Sequence, residues 1–132
     1  MMTRLRRTAL ATALLCSATG VLGADFDGSK PLICATVDAH ACDPGEVCLH
    51  VLPDSIGMPE FMRIDFAKKA IVGPKRTTEI RYTDKSADQV LLQGTELGYA
   101  WTIALDTADG SMTLTLVSRD DAFVVFGHCI PP

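Results

Sequence analysis

The feature that most limits what this chain can fold into is an alternation of apolar and polar residues over residues 88–129. Tyr99, Trp101, Ile103 and Leu105 fall on one face of an extended segment, and Ala100, Thr102, Ala104 and Asp106 on the other. Asp109-Gly110 then reverses the chain, with glycine supplying the positive φ that a tight turn demands. Beyond it Met112, Leu114 and Leu116 alternate with Thr113, Thr115 and Val117. A period of two buries one face of a strand and wets the other, whereas a helix would scatter the same residues around its axis. The stretch therefore predicts four β-strands joined by short turns, onto which the upstream residues pack.

Upstream the same logic gives shorter strands. Residues 31–38 open the series, with Pro31 at an edge where no hydrogen-bond donor is missed. In residues 61–66 Met62, Ile64 and Phe66 point inward and Phe61, Arg63 and Asp65 outward. A short strand at 70–72 ends at Gly73-Pro74. Residues 77–82 place Thr78, Ile80 and Tyr82 on one side. The last strand, residues 122–126, is apolar on both faces and is expected to be central or covered on both sides. Between the first and second strands Asp43-Pro44-Gly45-Glu46 has the form of a helix start, with Asp43 as N-cap, Pro44 at N1 and Glu46 at N3. One short helix through His50 is predicted there, followed by a loop over residues 53–60. The sum is an all-β antiparallel meander of seven or eight strands, barrel-like or folded as a two-sheet sandwich.

The leader bounds the compartment. Arg4, Arg6 and Arg7 precede an apolar run over residues 8–18 that is shorter than the ~20 residues a membrane span needs. Small and aliphatic residues follow at Val21-Leu22-Gly23, so residues 1–23 read as a signal peptide and residues 24–132 as a single domain. General secretion fits better than lipid anchoring or twin-arginine export, which gives a periplasmic or secreted protein with no stable membrane insertion once the leader is removed. The mature chain sets nine Lys and Arg against sixteen Asp and Glu, a formal charge of −7. That excludes nucleic acid as a natural partner, because phosphate binding needs a basic surface.

Four cysteines remain in the mature chain, an even number in a short exported domain, and they read as two disulfides. Three pairings are possible. Cys42–Cys48 with Cys34–Cys129 is the preferred set, one bridge local and one joining the first strand to the last.

Residues 61–66 (FMRIDF), Leu91-Leu92-Gln93-Gly94, the strand from Trp101 to Leu105-Asp106 and the closing Phe126-Gly127-His128-Cys129 resemble a group of small exported bacterial proteins, a domain of unknown function. The shared motifs are strand cores, a turn glycine and a cysteine, so the resemblance implies a fold and no catalytic residue. The barrel-like bacterial inhibitors of lysozyme are similar in size, export and disulfide use. The Ser-Gly motif and following Tyr of their recognition loop have no counterpart in this sequence.

Chemistry-bearing residues are few. His40, His50 and His128 sit beside cysteines, and with Met58 and Met62 they form the candidate set for a zinc or copper site. Oxidised cysteines are no ligands, and surface histidines beside disulfides explain the same pattern. No G-x-S-x-G, H-E-x-x-H or C-x-x-C motif occurs. Asp65 with Asp106, or Asp120 with Asp121, are the carboxylate pairs a small hydrolase would need. The first reads more simply as an outward strand residue and its neighbour, the second as a solvated hairpin tip. Residues 61–90 concentrate seven basic residues against four acids. Arg63, Lys75, Arg76 and Arg81, with Trp101, are the candidate surface for an unidentified protein or a small anionic ligand. Trp101 and Tyr99 would line a ligand cavity in a barrel wide enough to have one, although so short a chain is expected to fill its interior with side chains. The function predicted is a non-catalytic binding or inhibitory module without a cofactor. Metal handling and carboxylate-dependent hydrolysis are the alternatives.

Overall fold

In the computed structural model the structure describes residues 25–132; the predicted signal peptide lies outside the described residues. Ten strands run in chain order: β1 (Leu32–Cys42), β2 (Leu49–Val51), β3 (Phe61–Asp65), β4 (Ala70–Val72), β5 (Thr77–Glu79), β6 (Tyr82–Lys85), β7 (Gln89–Glu96), β8 (Tyr99–Asp106), β9 (Ser111–Val117) and β10 (Ala122–Ile130). All pairings are antiparallel, and all strands belong to one sheet ordered β5-β4-β3-β1-β10-β9-β8-β7-β6, with β2 added beside β1. There is no second sheet among the described residues, so the sandwich alternative falls and the half-barrel stands. As the alternation predicted, Trp101, Ile103, Leu105, Met112 and Leu114 are buried on the concave face, and β10 is central between β1 and β9.

The sheet curls until its two edges are successive pieces of one segment. Residues 77–82 alternate like a single strand, but the chain changes partner midway. Ile80 N–H donates to the Lys69 carbonyl on the β4 side at 2.8 Å, and Arg81 N–H donates to the Gln93 carbonyl on β7, also at 2.8 Å. β5 thus forms one edge of the sheet and β6 the other, each paired on one side only. Gly94 lets this seam close. A Cβ at Gly94 would lie 2.6 Å from the Glu79 carbonyl oxygen and 2.6 Å from Cε2 of Trp101, its partner across β7–β8.

The helix expected over residues 43–50 is absent. β1 runs on to Cys42, Asp43-Pro44-Gly45-Glu46 forms a turn closed by Glu46 N–H to the Asp43 carbonyl, and the chain returns as β2. Pro at the second position and Gly45 at φ 77° in the third are the signature of a type II turn, which competes for the same residues as a helix cap. The ladder of β1 with β2 (His40 opposite His50) and the Cys42–Cys48 disulfide decide for the turn. The helical turn that does form is 3₁₀, Pro53–Ile56, inside the segment expected to be loop.

Both predicted disulfides are present. Cys34–Cys129 joins directly opposed residues of β1 and β10, and both cysteines are fully buried. This end of the half-barrel is filled by Leu32, Ile64, Val90, Leu105 and Met112 around the disulfide. Residues 25–30 cover it. Phe26 packs on the core beside Gly110, and the Gly28 carbonyl accepts from Lys85 Nζ at 3.0 Å.

Candidate functional site

The opposite end is not filled by the described residues. A cavity of about 470 Å³ lies there, within the range of small-molecule sites. Its walls come from the same inward-facing positions that build the core elsewhere: Met62 of β3, Ile71 of β4, Trp101 and Ile103 of β8, Leu114 and Leu116 of β9, and Phe123 of β10. Three connections border it, the 53–59 segment with Ile56 and Met58, the β4–β5 turn with Lys75 and Arg76, and the β7–β8 turn with Glu96 and Leu97. The first is held by Thr36. Its N–H donates to the Glu60 carbonyl at 3.0 Å and its hydroxyl to the Pro59 carbonyl at 2.8 Å, where a bulge separates the β3-paired part of β1 from the β2-paired part.

Trp101 lines this cavity, but its indole nitrogen is closed off from the open volume. Trp101 is only 4% exposed, and its indole N–H has no acceptor among the described residues. A buried donor without a partner costs about 1–3 kcal/mol, and native folds seldom leave one. The sequence predicted Trp101 either as packed core or as the wall of a cavity, and the structure makes it both. Tyr99, beside it on the rim, is already committed. Its hydroxyl donates to Asp121 Oδ2 at 3.1 Å, and its ring tilts against Phe123 with centroids 5.9 Å apart. Donation to that carboxylate pushes the Tyr99 hydroxyl pKa above its ordinary value.

Of the basic residues singled out from the sequence, Lys75 and Arg76 reach the rim, with Arg76 Nε 3.8 Å from Glu96 Oε1. Arg63 and Arg81 do not. Arg63 alternates with buried Met62 and Ile64 and so lies on the convex face, and Arg81 is exposed at the β5–β6 crossing. The five candidates are therefore not one patch. Asp54, Ile56 and Glu96 are rim residues that the sequence did not single out, and Met58 was singled out only as a possible metal ligand. Only the clustering of two Met and two Pro around a Gly in residues 53–62 hinted that this segment faces something apolar.

No protein-family model, no curated protein and no solved structure matches the chain.

The remaining candidates are dispersed. His40 and His50 face each other across β1–β2 with ring centroids 5.4 Å apart, and His50 Nε2 meets Asp38 Oδ1. His128 is elsewhere, opposite Ala35 and Ser111. No group of three His, Cys, Asp or Glu side chains is placed to hold a metal among the described residues. Asp65 Oδ1 accepts the Lys68 N–H and Asp106 Oδ1 the Ala108 N–H, so each caps its own turn, on strands separated by β1, β10 and β9. Asp121 takes hydrogen bonds from Ser118 and Tyr99, and Asp120 pairs with Arg119 at the exposed β9–β10 tip. No helix is long and apolar enough to cross a membrane among the described residues.

Proposed function

We propose that this protein is a non-catalytic binding module that takes a small, largely apolar molecule into the open end of its half-barrel. The observation that carries the reading is a cavity of about 470 Å³ with mostly apolar walls at the end of the half-barrel that the described residues leave unfilled. A fold that closes one end around a disulfide and Phe26 has the side chains to close the other. The rim is instead built from connections, which adjust to a ligand more readily than strands do. Met58 and Met62 in the wall add unbranched side chains that re-pack around different shapes.

The chain carries a single tryptophan, so its own emission reports on the site. Titration with the uncharged fluorophore N-phenyl-1-naphthylamine is expected to give saturable binding at one molecule per chain, with energy transfer from Trp101. Leu116→Phe, which enlarges a part-buried wall residue into the cavity, is expected to weaken it at least severalfold without unfolding the protein. Absence of saturable binding, or binding untouched by Leu116→Phe, overturns the reading.

Export to the periplasm or beyond the cell is part of the same proposal, supported by the two disulfides, which persist in oxidising compartments. Intact mass of the exported protein is expected to correspond to a chain starting near Ala24. Retention of residues 1–23 would refute the leader.

A further inference from the structure

We infer that the ligand is an elongated, uncharged amphipathic molecule whose apolar stretch leaves the cavity over the side chain of Leu97, and that Leu97 selects for its length. The inference rests on the reading of the cavity as the binding site and adds the kind of occupant its mouth is built for. Strands β7 and β8 are joined by two residues, Leu97 and Gly98, between the opposed pair Glu96 and Tyr99. Both have positive φ, 48° and 84°, which makes the connection a type I′ turn. Glycine meets that demand at the second position. The first position favours asparagine, aspartate or glycine, because a Cβ in the left-handed region crowds the following carbonyl oxygen, and leucine has no side-chain hydrogen bond to offer in return.

The chain itself does little to offset this. Leu97 is 76% exposed, so its side chain adds little to the core. Elsewhere among the described residues positive φ falls on Gly28, Gly45, Gly57 and Gly110, and the other exception is Lys69, whose charged end belongs in water. A lone exposed leucine needs no explanation where the backbone accepts it, but one held in a disfavoured conformation does. Its position supplies the reason. Leu97 borders the cavity, and it also borders a second, shallower groove with Thr95, Val117 and Arg119. It is the lip between them. A compact occupant confined to the cavity would leave Leu97 in water, whereas an extended one running from cavity to groove covers it. The two arginines along that path already face acids, Arg76 with Glu96 and Arg119 with Asp120, and Lys75 shares the mouth with Asp54. An uncharged polar end therefore suits the groove better than an anionic one.

The straight-chain primary alcohols hexanol, octanol, decanol and dodecanol supply a length series. Each displaces N-phenyl-1-naphthylamine from the mature, disulfide-bonded protein, with the fluorophore's own affinity measured for every variant. Leu97→Asn is expected to raise Tm by about 2–5 °C, since Asn-Gly is a preferred type I′ pair. The same variant is expected to bind dodecanol about four- to tenfold more weakly, the worth of covering roughly half a leucine side chain, and hexanol within about twofold of the native protein. A variant that is more stable yet binds long ligands less well cannot owe the loss to unfolding. Leu97→Met, which keeps an apolar side chain on the lip, is expected to retain the native dependence on chain length. A lower Tm for Leu97→Asn overturns the argument from the turn. Dodecanol affinity unchanged in Leu97→Asn, or weakened no more than that of hexanol, overturns the inference and leaves the cavity reading standing. Saturable binding of the fluorophore with no displacement by any alcohol overturns the ligand class alone. Failure of the fluorophore and the alcohols to bind overturns the cavity reading itself.

Discussion

Gly94→Ala tests whether the seam of the half-barrel and the floor of the cavity are one piece of packing. Gly94 is absent from the residues with positive φ, so its backbone would accept alanine. Without steric conflict the change would stabilise the protein by about 0.4–1 kcal/mol through the unfolded chain. The structure predicts the opposite sign. The new methyl would come within 2.6 Å of both the Glu79 carbonyl oxygen and Trp101 Cε2, and neither is the flexible end of a long side chain. Overpacking of this kind costs about 1–3 kcal/mol, which leaves a net loss of about 1–2 kcal/mol after the unfolded-state gain is offset. For a domain of this size that lowers Tm by roughly 5–15 °C. Urea unfolding followed by Trp101 emission gives the loss directly, and the native emission maximum is expected to shift because the indole must move. Trp101→Phe removes the atoms on one side of the clash, so the double variant, followed by circular dichroism because it holds no tryptophan, is expected to lose about 0.5–1.5 kcal/mol less than the sum of the two singles. A Gly94→Ala protein as stable as the parent, with unchanged emission, would refute the argument that β5 and β7 meet across the indole.

The two disulfides are expected to differ in worth. The chain closed by Cys34–Cys129 spans 95 residues and that closed by Cys42–Cys48 spans 6. The chain-entropy estimate is about 4–5 kcal/mol for the first and about 2 kcal/mol for the second, so denaturation of Cys34→Ala/Cys129→Ala against Cys42→Ala/Cys48→Ala should show the larger loss for the first. Asp109 provides a pH-dependent contribution. The Ser111 hydroxyl and N–H hold its carboxyl below the ordinary aspartate value, so the stabilisation is complete above that value and disappears as pH falls through the lowered one. Ser111→Ala is expected to raise the Asp109 titration midpoint by NMR and to flatten stability in that acid range. Thr36→Val removes the hydroxyl that donates to Pro59 and is expected to cost about 1 kcal/mol. Faster amide exchange at Gly57 and Met58, whose N–H groups bond back to Asp54 and Pro53, would show that the loss is felt at the cavity rim.

The parts of this fold legible in the sequence are those governed by side-chain direction. Alternation from Tyr99 to Leu116 states which atoms face inward, and the strands and their turn at Gly110 follow, while the central place of β10 was read from apolar residues on both its faces. Cysteine number and spacing carried the disulfides because one pair is local and the other joins the first strand to the last. Three features were hidden for separate reasons. Asp43-Pro44-Gly45-Glu46 satisfies a helix cap and a type II turn equally well, and the choice is made by the Cys42–Cys48 bond and the β1–β2 ladder, which are tertiary. Residues 77–82 alternate without a break, and nothing in that pattern marks Ile80 and Arg81 as the place where partners are exchanged. Proximity in sequence also misled. His40 and His50 were brought together by a ladder that left His128 apart, and the basic run divided between rim and convex face because strand neighbours point opposite ways.

The cavity was hidden for a more general reason, since periodicity assigns faces but not volumes. Trp101 stands where Ile103 and Leu105 stand, two and four residues along one strand, yet Leu105 sits in a closed core and Trp101 at the border of empty space. The difference arises from what crosses each end. At the Leu105 end the chain lays Phe26 across the half-barrel and pulls β1 and β10 together through Cys34–Cys129. At the Trp101 end it spends its residues on connections that run around the mouth rather than over it. A closed end fixes the curl of the sheet with covalent and apolar contacts, so the other end can stay open without the strands collapsing into it. Stability is thereby concentrated away from the site. Substitutions among the rim residues Ile56, Met58 and Lys75 should then alter occupancy of the cavity with little effect on unfolding, whereas those around Cys34 and Cys129 should do the reverse.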